Sequence, residues 1–311
     1  MAERVDYDEF GLFQENAEEF GLPYDGPPAV RRVFAEVAPG RRLSALVWGA
    51  GEPELVLLHG GAQNAHTWDT VAMALGRPLV AIDLPGHGHS DGPGEPAAGQ
   101  PAIQRNAADV ATAIRQLAPA ARAVVGMSLG GMTTMALSAE APELVRAIVL
   151  VDILPGSRSG RARHITDFVN GPRSFPSLDE LLERTTRFNP SRSRSSLRRG
   201  ILHNAEQQPN GTWVWRWAKH RSPEASPAPA SPEETEARGE QLWAALTSAG
   251  VPVLLARGMR PDSVLGDEDE EELRKRLPSA EIVHMPDSGH SVQGDMPLEL
   301  AALIERFVFG S

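Results

Sequence analysis

Three short stretches hold residue types that together could perform acyl transfer: Gly126-Met127-Ser128-Leu129-Gly130, LLHGGAQNAHTW (57–68) and MPDSGHSVQGDMP (285–297). A serine hydroxyl is a weak nucleophile at neutral pH and needs an adjacent general base. Of nine histidines, His290 suits that task, because it lies in a glycine- and serine-flanked loop beyond the last strand-like run. His87 and His89 belong to DLPGHGHSD (83–91), at an earlier strand end, and His164, His203 and His220 fall in an insertion. Attack on a carbonyl also needs two backbone N–H donors converging on the oxyanion. Gly61, just past one strand, and Leu129, just past Ser128, are placed to supply them, and His59 reads as a brace beneath the glycine turn.

The acid that would orient His290 is open between two positions. Asp152 ends AIVLVD (147–152) and Asp262 lies in GMRPDSVLGD (258–267). Both follow strand-like runs, at the edge where ligands bind in open α/β sheets. Either could accept the imidazole N–H and stabilise the imidazolium. Asp262 has further acids close behind it and could be a solvated charge, whereas Asp152 closes an apolar strand. Asp152 is therefore the expected acid and Asp262 the alternative, with Asp267, Asp269 and Asp287 weaker candidates.

Elements of suitable kind surround these residues. ELVLLHG, PLVAIDLPG, ARAVVGMS, VRAIVLVD, VPVLLARG and AEIVHMPD are short runs apolar on both faces, as expected of parallel strands covered by helices. Helical patterns such as IQRNAADVATAIRQLA, LGGMTTMALSAEAP and EDEEELRKRL separate them. The alternation predicts a doubly wound α/β sheet, and RRVFAEVA and RRLSALVWG, joined at Pro39-Gly40, predict a leading antiparallel hairpin. Ser128 then sits at a strand-to-helix turn, where a strained backbone presents a nucleophile and flanking glycines remove clashes.

The alternation breaks after Asp152. Residues 153–240 read as a lid inserted into a core of 1–152 and 241–311. The lid ends in SPEASPAPASPEE (222–234), whose composition predicts a flexible link. Within it, Trp213, Trp215 and Trp217 alternate and share a face if this is a strand. Trp213, Trp215 and Met127 are the candidate substrate-contacting residues. Arg192, Arg194, Arg198 and Arg199 read as a solvated helix face balancing an acidic body.

Composition narrows the chemistry. The 311 residues contain no cysteine, which excludes disulfides, thiolate metal sites and a cysteine nucleophile. A formal net charge of −11 disfavours nucleic acid as a partner. No secretory signal and no membrane span are expected, so the default location is cytoplasmic. Acidic clusters such as GDEDEEE (266–272) have no ligand-type spacing, and neither cofactor nor metal is expected.

HGG, DLPGHGHSD, GMSLGG, IVLVD and SGHSVQGDMP occur here in the order in which they occur in the α/β-hydrolase superfamily, and from about Phe10 to Phe309 the chain resembles that family. EFGLFQENAEEFG, HGGAQNAHTWDT and SLRRGILHNAEQQPNGTWVWRW more narrowly resemble a small actinobacterial group of carboxylesterases of mycobacterial type. The resemblance implies a mostly parallel eight-stranded sheet, a helical lid after the sixth strand, and hydrolysis of a small-molecule ester of short to medium acyl chain through an acyl-enzyme. Within the subgroup it favours Asp152 over Asp262. A serine at the elbow sets the chain apart from family members that use aspartate there, and both tyrosines, Tyr7 and Tyr24, precede the lid. Thioesterase, lactonase or carbon–carbon hydrolase activity and a non-catalytic binder are the alternative functions, and a monomer or homodimer is expected.

Overall fold

The structure, a computed structural model, describes residues 4–94, 101–157, 163–220 and 231–310. Its eleven described strands are β1 (Val30–Ala38), β2 (Arg41–Trp48), β3 (Leu55–Leu58), β4 (Leu79–Ile82), β5 (Ala123–Met127), β6 (Ile148–Val151), β7 (Ser174–Phe175), β8 (Ala205–Gln207), β9 (Trp213–Trp215), β10 (Val253–Gly258) and β11 (Glu281–Met285). The helices are α1 (Phe13–Phe20), α2 (Asp69–Leu75), α3 (Ala102–Leu117), α4 (Leu129–Glu140), α5 (Arg163–Val169), α6 (Leu178–Phe188), α7 (Arg194–Asn204), α8 (Pro232–Ser248), α9 (Asp267–Arg276), α10 (Val292–Asp295) and α11 (Pro297–Phe309).

Eight strands form the main sheet in the order β1-β2-β4-β3-β5-β6-β10-β11. The leading hairpin is antiparallel, β2 meets β4 antiparallel, and the remaining pairs are parallel. Because side chains alternate across a strand, each short apolar run feeds two cores. Val56 and Leu58 face one with Val124, Ile148, Leu150 and Leu255, beside α3, α4 and α8. Leu55 and Leu57 face the other with Val125, Val149 and Leu254, beside α1, α2 and α11. Burial on both faces explains why these strands are continuously apolar rather than alternating.

The chain order reverses at β3. It runs outward to β4, then returns to β5 on the other side, so the ends of β3 and β5 flank a topological switch point, where such sheets bind ligands. Leu58 pairs in register with Gly126, which brings the glycine turn after β3 level with Ser128 after β5.

The insertion between β6 and β10 contains α5, α6, α7 and the antiparallel sheet β7-β9-β8, packed around Phe175, Leu181, Leu197, Ile201, Trp213, Trp215 and Trp217. Its expected end at 240 falls inside α8. That helix starts at Pro232 behind a Ser231–Glu234 capping box, and its Leu242, Trp243 and Leu246 belong to the main core. Most of the proline-rich link lies outside the described residues, which resume at Ser231 as the cap of α8.

Candidate active site

Ser128 occupies the turn between β5 and α4 with φ 50° and ψ −113°, a backbone conformation that L-residues rarely adopt. Close packing around the turn accounts for its glycines. A Cβ on Gly126 would lie 2.5 Å from the Gly130 carbonyl oxygen, and one on Gly130 would overlap the Leu58 carbonyl. The glycines thus let β3 and the first turn of α4 press against the strained serine. The Leu129 amide belongs to that first turn, whose N–H groups have no intrahelical acceptor.

The turn after β3 is pinned from below. His59 is fully buried. The Leu84 N–H donates to its Nε2 at 2.9 Å, so Nδ1 carries the proton and donates to the Gly60 carbonyl at 2.7 Å. Burial lowers the His59 pKa and keeps the ring neutral. Asp83, just past β4, accepts from the amides of Ala65 (2.7 Å) and His89 (3.1 Å) and from Arg32 (2.8 Å). Burial acts to raise its pKa, but Arg32, His59 and these amides outweigh that and hold it ionised. Ala62 turns the chain at φ 60°, and Gly61 faces the same cavity as Leu129 and Ser128.

Asp152 follows β6, also at positive φ (47°) and without solvent exposure. Its Oδ1 accepts from Gly258 N–H (2.9 Å) and the Ser263 hydroxyl (2.7 Å), and its Oδ2 from Val264 N–H (3.1 Å) and His290 Nδ1 (2.9 Å). Four donors fill the acceptor sites of an ionised carboxylate. His290 Nδ1 must therefore carry its proton, which leaves Nε2 with a lone pair. Between the two positions open from sequence, it is Asp152 that contacts His290. The loop after β10 turns Ser263 and Val264 toward Asp152, while exposed Asp262 points to Gly289, where a Cβ would overlap its carboxylate. Asp267 instead pairs with Arg257 at 2.6 Å.

Ser128, His290, Gly61, Leu129 and Met127 line one cavity of about 560 Å³. No hydrogen bond joins Ser128 Oγ to His290 among the described residues. Such contacts are commonly long before substrate binds.

The insertion departs from expectation in two ways. Trp213 and Trp215 do not line this cavity: β9 is the central strand of its small sheet, so both rings pack inside the insertion. Trp217, two residues beyond the strand in the 3-10 turn Arg216–His220, does line it. The four arginines are not one solvated face. Arg194 is exposed and Arg198 half-buried, but Arg199 is buried, donating to Asn16 at 2.8 Å and ion-paired with Glu19, and Arg192 lines the cavity.

Sequence reasoning also missed the role of the first twenty residues. Val5 N–H donates to Gln207, Tyr7 Oη bonds His203 Nδ1 at 2.8 Å, and Glu19 meets Ser193 and Arg199. Under this seam the His66 and His203 rings stack at 3.8 Å. His66 Nδ1 faces Asp69 (2.9 Å) and Nε2 faces Glu9 (3.1 Å), so both nitrogens carry protons. Burial opposes that charge, but the two carboxylates raise its pKa to about 9. The ligand-type atoms of His66, Asp69 and His203 lie within 4.8 Å of one another, a grouping the sequence reading did not foresee. Here a hydrogen bond joins His66 to Asp69, and the His203 ring stacks on His66 with its Nδ1 bonded to Tyr7. Asn64 and Asn204 add bonds between the glycine turn and α7, to His203 O (3.0 Å) and Ala62 O (2.5 Å) respectively. Each partner is far away in sequence, so no local pattern signals the pairing.

Comparison with known proteins agrees with this architecture. Residues 55–303 match the family model described as the alpha/beta hydrolase family. The chain is 41% identical over 309 residues to esterase Rv0045c of Mycobacterium tuberculosis, covering 96% of this chain and 94% of that one. A crystal structure of that esterase superposes with a TM-score of 0.79 at 38% identity, covering 97% of this chain and 98% of its own. A 3-hydroxybutyrate-oligomer hydrolase of Cupriavidus necator is 28% identical over 274 residues, 86% of this chain and 92% of its own. No helix among the described residues is long and apolar enough to cross a membrane.

Proposed function

The chain belongs to the alpha/beta hydrolase family, and on that premise we propose that it is a serine carboxylesterase in which Ser128, His290 and Asp152 carry acyl transfer. The observation that carries the reading is the 2.9 Å contact between His290 Nδ1 and an Asp152 carboxylate whose other acceptor sites are filled. It fixes the tautomer whose bare Nε2 can take a proton.

His290 Nε2 removes the Ser128 proton as Oγ attacks the ester carbonyl carbon. The carbonyl π electrons move to oxygen, and the Gly61 and Leu129 amides hold the oxyanion. Collapse re-forms the carbonyl and expels the alkoxide, which leaves as alcohol with the proton from His290. Water then attacks the acyl-enzyme, loses a proton to His290, and frees the acid and Ser128. The Asp152 carboxylate, hydrogen-bonded to His290 Nδ1, stabilises the imidazolium. A cavity of about 560 Å³ suits esters of short to medium acyl chain. The esterase name of the mycobacterial relative supports the same reaction class.

Fluorophosphonate labelling and hydrolysis of p-nitrophenyl butyrate test the reading together. Wild type should label and turn over, and Ser128→Ala should do neither. Labelling that survives Ser128→Ala, or folded wild type that neither labels nor turns over, overturns it.

A further inference from the structure

The buried and half-buried arginines of this molecule divide into two kinds. Arg32 is paired with Glu9 and Asp83, Arg199 with Glu19, and Arg257 with Asp267 and Glu270. Arg192 and Arg105 have no carboxylate within 4.0 Å among the described residues, yet both line the cavity that contains Ser128 and His290. Arg192 donates from Nη2 to Ser196 Oγ at 2.5 Å, and its buried Nε has no partner. Arg105, on α3, has Nε and Nη1 buried without partners. An unpaired buried cation is costly, and the guanidinium fork matches a carboxylate in two parallel hydrogen bonds.

The Arg192 guanidinium rests on α10, which begins two residues past His290. A Cβ on Gly294 would come within 2.5 Å of its Nη1. Two carboxylates reach the same cavity. Asp262 sits against Gly289, and Asp295 accepts the Gly289 N–H at 3.0 Å and meets Ser288 Oγ at 3.4 Å. Asp295 acts on Arg192 from beyond ion-pair distance, and Ser196 and Gly294, which the guanidinium touches, line a smaller neighbouring cavity that Arg192 also borders.

Resting on the esterase reading of Ser128, we propose that this cavity takes esters carrying a carboxylate remote from the scissile bond, with Arg192 binding that carboxylate and Arg105 adding a second positive charge. Both arginines are specificity-determining rather than catalytic, because they act on a part of the substrate that does not react.

The test compares mono-p-nitrophenyl adipate with p-nitrophenyl hexanoate, which share acyl length and differ by one terminal carboxylate. Wild type should favour the adipate ester in kcat/KM. Arg192→Met should lower the adipate-to-hexanoate ratio about 10- to 100-fold, the range for a hydrogen-bonded charge, chiefly through KM, and Arg192→Lys should restore part of it. Gly294→Ala, which crowds the guanidinium, should shift the ratio the same way and covers the case in which Arg192→Met fails to fold. A wild-type ratio near one, or a ratio untouched by both variants, overturns the proposal. Calorimetric binding of monomethyl adipate to Ser128→Ala protein reads the same site without turnover. If hydrolysis fails but this binding occurs and weakens at least tenfold with the added Arg192→Met change, the esterase reading falls and the carboxylate site stands. No binding, or binding indifferent to Arg192, sinks the site.

Discussion

Replacing Asp152 by asparagine tests the geometry of the site most directly, because the carboxylate accepts four hydrogen bonds and donates none. An asparagine must turn its NH₂ toward one pair of donors. Facing Val264 N–H and His290, it drives His290 into the tautomer with Nδ1 bare and Nε2 protonated, which cannot accept the Ser128 proton. Facing Gly258 N–H and Ser263, it opposes a buried backbone donor and costs about 1–3 kcal/mol of stability. In both orientations the imidazolium loses its counter-charge. The expected fall in kcat is about 10⁴-fold, or roughly 5 kcal/mol of barrier. Asp262→Asn should leave kcat within about threefold, since exposed Asp262 makes no hydrogen bond to His290 among the described residues. The assay is p-nitrophenyl butyrate hydrolysis with melting curves on the same samples, to separate lost chemistry from lost fold. Folded Asp152→Asn with more than a tenth of wild-type kcat, or Asp262→Asn alone abolishing turnover, refutes the reasoning.

Two further outcomes follow from the packing and the buried charges. Gly130→Ala places a methyl group against the Leu58 carbonyl in the central sheet, and should cost about 1–3 kcal/mol on thermal denaturation with a loss of turnover. An unchanged melting temperature would show that the turn can relax. His66 has a folded pKa of about 9, above its ordinary 6.5, so its stabilisation is full below pH 6.5 and is lost as pH rises through 9. Stability of the wild type should fall over that window by an amount on the order of 3 kcal/mol at most, and His66→Gln should flatten the fall. On the acid side the signs reverse: His59 and His203 are held neutral by burial, so protonation below pH 6.5 favours unfolding in both proteins. A flat wild-type profile from pH 7 to 9.5 would contradict the His66 assignment.

What the chain reveals locally and what it hides divide along a physical line. Strands β3, β4, β5, β6 and β10 are legible because burial on both faces makes each a short apolar run that no solvated element would carry, whereas the edge strand β11 is only partly buried. The turn at Ser128 and the loop of His290 are legible because a strained turn demands small neighbours and because SGHS follows the last strand-like run. The choice between Asp152 and Asp262 was not, since both loops reach the same sheet edge and only the path of residues 258–265 decides which carboxylate faces the ring. Trp213 and Trp215 misled for a related reason: alternation correctly gave them a common face, but what that face meets is set by β7 and β8. Arg192 and Arg199 sit seven residues apart with similar surroundings in sequence. One meets Glu19, 180 positions away, and the other has no carboxylate within ion-pair distance among the described residues, which no window of neighbours could reveal.

The seam along the first twenty residues also bears on how the cap can move. A cap joined to its body only where the chain enters and leaves can swing about the line between those joints. Here Val5, Tyr7, Asn16 and Glu19 fasten it at a third place, through Gln207, His203 and Arg199, while Phe13 on the same helix is anchored in the main core. Together with the Asn64–His203 and Asn204–Ala62 bonds to the glycine turn, these contacts leave no single line about which the insertion can swing. Movement of the insertion away from Ser128 would therefore have to break the N-terminal contacts as well as these two asparagine bonds, so a change that trims or crowds that segment should also act on access to the serine.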